Sequence, residues 1–120
     1  MAYVPRWKRF ESWVAKFLGG KRYWANSGEK VDVKTPAFTV QCKHVREMSL
    51  AELTRLATRA LEEGRAVPEK RSGPKIGLVA VKLSGQRGNV RAPALFILHE
   101  DAFGDLLHRI PSEELDVRRD

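Results

Sequence analysis

The chain has one cysteine, Cys42, which excludes an internal disulfide and any zinc centre built from cysteine pairs. The three histidines, His44, His99 and His108, fall into no zinc-ligand spacing. No apolar run approaches the roughly 20 residues that cross a bilayer. The first residues also lack the charged-then-apolar pattern of a secretory leader. These features lead to the expectation of a protein in a reducing, cytoplasmic-type compartment with no membrane partner. Repeats and low-complexity stretches are missing too. What remains is 120 residues, 42 % of them hydrophobic, enough to fold around one modest core. The expected division is a single domain over residues 1–110 and a charged tail over 111–120.

Negative charge is scarce in one part only. Residues 1–46 hold ten lysines and arginines against three acids, Glu11, Glu29 and Asp32, whereas residues 47–120 hold twelve of each sign. The whole net charge of +7 therefore lies in the first part of the chain. Such segregation suits a surface that meets a polyanion. An anionic membrane would ask for a basic amphipathic helix with an exposed apolar face, and none is evident.

Periodicity supplies the elements. Trp7, Phe10, Val14, Phe17 and Leu18 make a helical stripe over residues 6–18 that Gly19-Gly20 stops. "KRYWA" (21–25) reads as a strand, and "NSGE" as a turn. In "EKVDVKTPAFTVQCKHV" (29–45), Val31 and Val33 alternate with Lys30, Asp32 and Lys34. Phe38, Val40 and Cys42 alternate in turn with Thr39, Gln41 and Lys43. A hairpin turning near Pro36-Ala37 places Asp32 opposite Gln41 on the polar face. Ser49 with Glu52 forms a capping box, and Met48 can staple onto Leu53. The helix that follows buries Leu50, Leu53, Leu56, Ala57, Ala60 and Leu61 and is closed by Gly64. "RAVPEKRSGPK" (65–75) is a basic loop. "IGLVAVKL" (76–83) reads as a strand covered on both faces, "ALFIL" (94–98) as another strand, and residues 100–108 as a short helix. The order is helix, three strands, helix, two strands, helix: an α/β fold with a mixed sheet flanked by helices.

Cleaving a phosphodiester takes a divalent ion, which activates water and offsets charge, and such ions take oxygen ligands. Asp32, the Gln41 amide oxygen, the Cys42 carbonyl and Lys43 offer that set on two adjacent strands. Glu11 lies at the edge of the first helix's apolar stripe, where a carboxylate is costly unless paired or metal-bound. A salt bridge to Lys8 is the simpler account of Glu11 alone. Glu11 and Asp32 are, however, two of the three acids in the positive part of the chain.

These residues resemble the PD-(D/E)XK nuclease superfamily, with its α-β-β-β-α-β core, and within it the archaeal-type Holliday junction resolvases. The resemblance is carried by the glutamate of "RFESWVAKFLGG", the aspartate of "VDV", the strand "VQCKH", the capped helix and "IGLVAVKL". It spans about residues 6–98. It implies a restriction-endonuclease-like fold and a metal-dependent endonuclease that resolves four-way DNA junctions by paired cleavage as a homodimer. The implied cofactor is Mg²⁺, with Mn²⁺ as substitute, held by Glu11, Asp32, Gln41 and the Cys42 carbonyl. Lys43 completes the catalytic set. Ser27 resembles a turn serine near the active site of relatives. Two departures stand out: Val31 replaces the motif's proline, and Gln41 replaces its second acid and brings no charge.

Around this site Arg6, Lys8, Arg9, Lys21, Arg22, Lys30, Lys34 and Arg46 are expected to contact phosphates, which fixes register without reading sequence. His44 is a further phosphate-facing candidate or simply a surface residue, and Glu29 a flanking ligand or a turn residue. Trp7, Trp13, Tyr23 and Trp24 either stack on bases or belong to the core. Phe96 and Phe103 are candidates for a dimer interface, and the 65–75 loop for clasping a branch point. Two alternatives stand beside junction resolution. One is a superfamily nuclease acting on flaps, ends or duplex DNA; the other is a non-catalytic DNA-binding protein. A resolvase of this kind suits a cell or a virus equally.

Overall fold

The first helix buries Phe10, Val14 and Ala15, and Gly19 follows it as a left-handed cap with φ of 72°. In the computed structural model, which describes residues 6–19, 21–22, 32–66, 74–83, 93–111 and 113, three helices and five strands follow one another. They are α1 (Arg6–Leu18), β1 (Lys21–Arg22), β2 (Val33–Lys34), β3 (Phe38–Val45), α2 (Leu50–Arg65), β4 (Ile76–Leu83), β5 (Ala94–Ile97) and α3 (Glu100–Arg109). The fold is α/β, with a mixed sheet in the order β1-β2-β3-β4-β5. Only the β3–β4 pair is parallel, because α2 carries the chain back between them. Ser27, Glu29 and Lys30, the remainder of the "KRYWA" strand with Tyr23 and Trp24, and most of the 65–75 loop lie outside the described residues.

The hairpin turns where Pro36 predicts. The Thr35 N–H donates to the Phe38 carbonyl at 2.9 Å, and the Thr35 hydroxyl accepts from the Ala37 and Phe38 N–H groups. Val33 pairs with Val40 and Lys34 with Thr39. Alternation then sorts β3 into two faces. Val40, Phe38 and Cys42 join Val33, Leu78 and Ala80 beneath Phe10, Val14 and Ala15 of α1. The opposite face of β4, Val79 and Val81, packs on Ala60, Leu53 and Leu56 of α2. β4 is thus covered on both sides, as its unbroken apolar sequence requires.

Five expectations need correction. Gly64 does not close α2, which runs on to Arg65 and a cap at Ala66. It is buried where the helix crosses β4: a Cβ there would lie 2.6 Å from the Gly77 nitrogen. Leu50 is 79 % exposed, being in the first turn before the helix reaches the sheet. Phe17 and Trp7, counted in the buried stripe of α1, are 62 % and 49 % exposed. Lys75 belongs to the core rather than to a solvated loop; it is buried and its Nζ donates to the Thr35 carbonyl. Finally, the polar face of β3 is not open to solvent, because α2 covers it; Thr39 is buried and its hydroxyl finds no partner among the described residues.

Candidate active site at the edge of β3

Among the described residues, Val33 and Lys34 of β2 pair with Val40 and Thr39 of β3, and Asp32 comes next. At that point the Asp32 N–H donates to the Val40 carbonyl at 3.0 Å. Its carboxylate Oδ2 accepts from the Cys42 N–H at 2.8 Å. The side chain thus takes up a backbone donor of β3 just past the last described rung of β2. Because N–H and C=O of one residue in a strand point to the same side, the Cys42 carbonyl faces the edge where Asp32 sits. The Cys42 side chain packs with the α1 cluster, so its contribution here is backbone.

Gln41 and Lys43 project to the other face, beside Val79 and Val81 of β4. Both are half-buried. The Gln41 Nε2 donates to Glu63 Oε2 of α2 at 2.8 Å. Glu63 was missed in the sequence, where it reads as an ordinary charge on a helix surface. Its spacing did hold a signal: it lies one turn beyond Ala60, at the margin of the buried stripe, and faces the polar residues of β3.

Glu11 is buried at 5 % exposure among the α1 residues Phe10, Val14 and Ala15. The helix that carries it lies on the sheet face opposite to the one Gln41 and Lys43 occupy. Among the described residues, no three His, Cys, Asp or Glu side chains gather closely enough to hold a metal ion. The structure thus brings Asp32, the Cys42 backbone and, one residue along, Gln41 into one locality, with Lys43 next on the Gln41 face. It does not assemble Glu11, Asp32 and Glu63 into a three-carboxylate centre. A carboxylate, a backbone carbonyl and an amide oxygen are donors of the kind a hard divalent cation takes.

Arg9 and Arg46 are exposed, and Lys8 and Lys34 are half-buried. The Lys8 ammonium lies over the Trp7 ring, 5.3 Å from its centroid, a cation–π arrangement that holds both side chains at the helix start. The side chains of Arg6, Lys21 and Arg22 are outside the described set. His44 packs its ring 6.0 Å from that of Phe10, which places it against α1, away from the Gln41 face. Trp13, 41 % exposed, stacks on Phe17 at 4.9 Å, and Phe17 on Phe96 of β5 at 5.6 Å.

No family model, no curated protein and no solved structure matches this chain. No helix among the described residues is long and apolar enough to cross a membrane.

Proposed function

We propose that the protein is a Mg²⁺-dependent endonuclease of the PD-(D/E)XK type that cleaves branched DNA, with the four-way junction as its substrate. The observation that carries this reading is the Asp32 carboxylate, seated on the Cys42 N–H of β3 beside Gln41 and Lys43. The helix-strand-strand-strand-helix-strand order around it is the one the superfamily resemblance implies. The excess of positive charge in residues 1–46 suits a polyanionic substrate.

In this reading Asp32, the Cys42 carbonyl and the Gln41 amide oxygen would hold the cation, which, when bound, polarises the phosphate and acidifies a water. Mn²⁺ would substitute for Mg²⁺. The Lys43 ammonium offsets charge that develops on the phosphate oxygens. Arg9 and Arg46 grip the flanking backbone, so recognition follows the shape of the junction rather than its sequence. A two-fold dimer would set one site on each of two opposed strands. The exposed aromatic rings of Trp13 and Phe17 beside Phe96 supply an apolar face for it.

The test is cleavage of a four-way junction, a flap and a linear duplex in Mg²⁺ or Mn²⁺, by wild type and by Asp32→Asn. Junction resolution requires paired symmetric nicks near the crossover and a loss on the order of 100-fold or more in Asp32→Asn, with junction binding retained. Equal cutting of all three substrates points instead to a less selective nuclease. Binding without any metal-dependent cutting leaves a DNA-binding protein only.

A further inference from the structure

Gln41 is the residue at which the chain departs from the acidic pattern it resembles, and its amide donates to a carboxylate on α2. We infer that Glu63 of α2 is a positioning residue: it fixes the Gln41 amide so that its oxygen, and not its NH₂, is presented for cation binding. This inference rests on the proposed metal site and deepens it.

The chemistry is directional. An amide side chain is donor at one end and acceptor at the other, whereas an ionised carboxylate only accepts. With Nε2 donating to Glu63 Oε2 at 2.8 Å, the amide plane is set, and Oε1 is held on the side turned away from Glu63. Unanchored, the two ends of the amide would exchange places by rotation about the last torsion, which is broad and two-fold. Half the orientations would then aim NH₂ hydrogens at a cation. Both side chains are half-buried, so water competes less for the bond than it would on an open surface.

The same contact accounts for the missing acid. A glutamate at position 41 would bring a second carboxylate to hydrogen-bond distance of Glu63, and such a pair repels unless it shares a proton. A neutral donor at position 41 is what the carboxylate on α2 requires. The charge that the resembled family carries on the strand has here moved to the helix behind it.

The experiment measures Mn²⁺ affinity calorimetrically for wild type, Glu63→Ala, Glu63→Gln and Asp32→Asn, with circular dichroism to check each fold. Positioning predicts that Glu63→Ala weakens Mn²⁺ binding about 10-fold, the usual scale for a residue that orients a ligand. Glu63→Gln should retain most of the affinity, because its amide oxygen still accepts from Nε2. Equal losses in Glu63→Ala and Glu63→Gln would mean that the charge itself acts on the ion, and would overturn the inference. So would affinities within twofold of wild type in both. A second measurement needs no metal. Gln41→Glu should lower the melting temperature of the metal-free protein, and adding Glu63→Gln should restore it; additive effects would again overturn the inference. If Asp32→Asn abolishes Mn²⁺ binding while Glu63→Ala leaves it intact, this inference alone fails. If the wild type binds no Mn²⁺, the metal site and the role of Glu63 fail together.

Discussion

Gly64 of α2 and Gly77 of β4 lie where helix meets sheet, and the backbone of the opposite element fills the space that a side chain on either would need. A Cβ on Gly77 would stand 1.7 Å from the Ala60 carbonyl oxygen, and one on Gly64 2.6 Å from the Gly77 nitrogen. Both obstacles are backbone, so neither can swing aside. The absence of two side chains lets α2 lie directly on the sheet and brings Glu63 within reach of Gln41.

Gly77→Ala should therefore be among the most damaging single-atom additions in the chain. Overpacking commonly costs about 1–3 kcal/mol, and with backbone as the obstacle the loss should reach about 3 kcal/mol or prevent folding. Gly64→Ala should lose about 2 kcal/mol. Urea unfolding of both variants checks the order; a Gly77→Ala protein as stable as wild type would contradict the packing.

Asp32 has a structural task separable from any chemical one. Its carboxylate accepts from the Cys42 N–H, and an asparagine oxygen can do the same. Asp32→Asn should stay within about 1 kcal/mol of wild type in stability, whereas Asp32→Ala, which strips the acceptor, should lose about 1–2 kcal/mol. Denaturation curves for the pair distinguish loss of fold from loss of function in any cleavage assay.

Lys75 is a buried cation held by the Thr35 carbonyl at the hairpin turn. Lys75→Met keeps the aliphatic bulk and removes the ammonium. A hydrogen bond to a charged group is worth about 1.5–3 kcal/mol, so the variant should unfold at a visibly lower denaturant concentration, with the hairpin amides of residues 33–40 exchanging faster. Unchanged exchange there would show that the ammonium does not anchor the turn.

Phe17 is well exposed and yet stacked on Trp13 and Phe96. If this face joins two copies, Phe17→Glu should shift sedimentation from dimer to monomer. Its own folding should lose only about 1 kcal/mol, the scale of one or two aromatic contacts. A wild-type protein that sediments as a monomer at high concentration would remove the proposed interface.

Much of this architecture was legible because it depends on local pattern. Alternation in residues 29–45 put Asp32 across from Gln41, and the Ser49 capping box is seen in the bond from the Glu52 N–H to the Ser49 hydroxyl. What alternation cannot say is what lies over a face. Thr39, Gln41 and Lys43 share a side in the sequence, but that α2 covers this side follows from Gly64 meeting Gly77, a contact between distant segments. Glu63 was hidden for the same reason. Trp7, Phe17 and Leu50 failed in the other direction: each has the right helical phase but sits too near an end or a flank of its helix for the sheet to reach it. His99, which caps the start of α3 by accepting from the Asp101 N–H, is not one of the usual capping residues Ser, Thr, Asp or Asn.

The parallel pairing of β3 with β4 has a kinetic consequence. β2 with β3, and β4 with β5, are each antiparallel and near in sequence. The seam from Phe38–Ile76 to Val45–Leu83 closes only after the intervening helix has folded back, and the chain loses loop entropy before any contact compensates it. Two early hairpins should thus wait on one late zipper, and the amides along that zipper should be the last to gain protection from deuterium as the chain refolds.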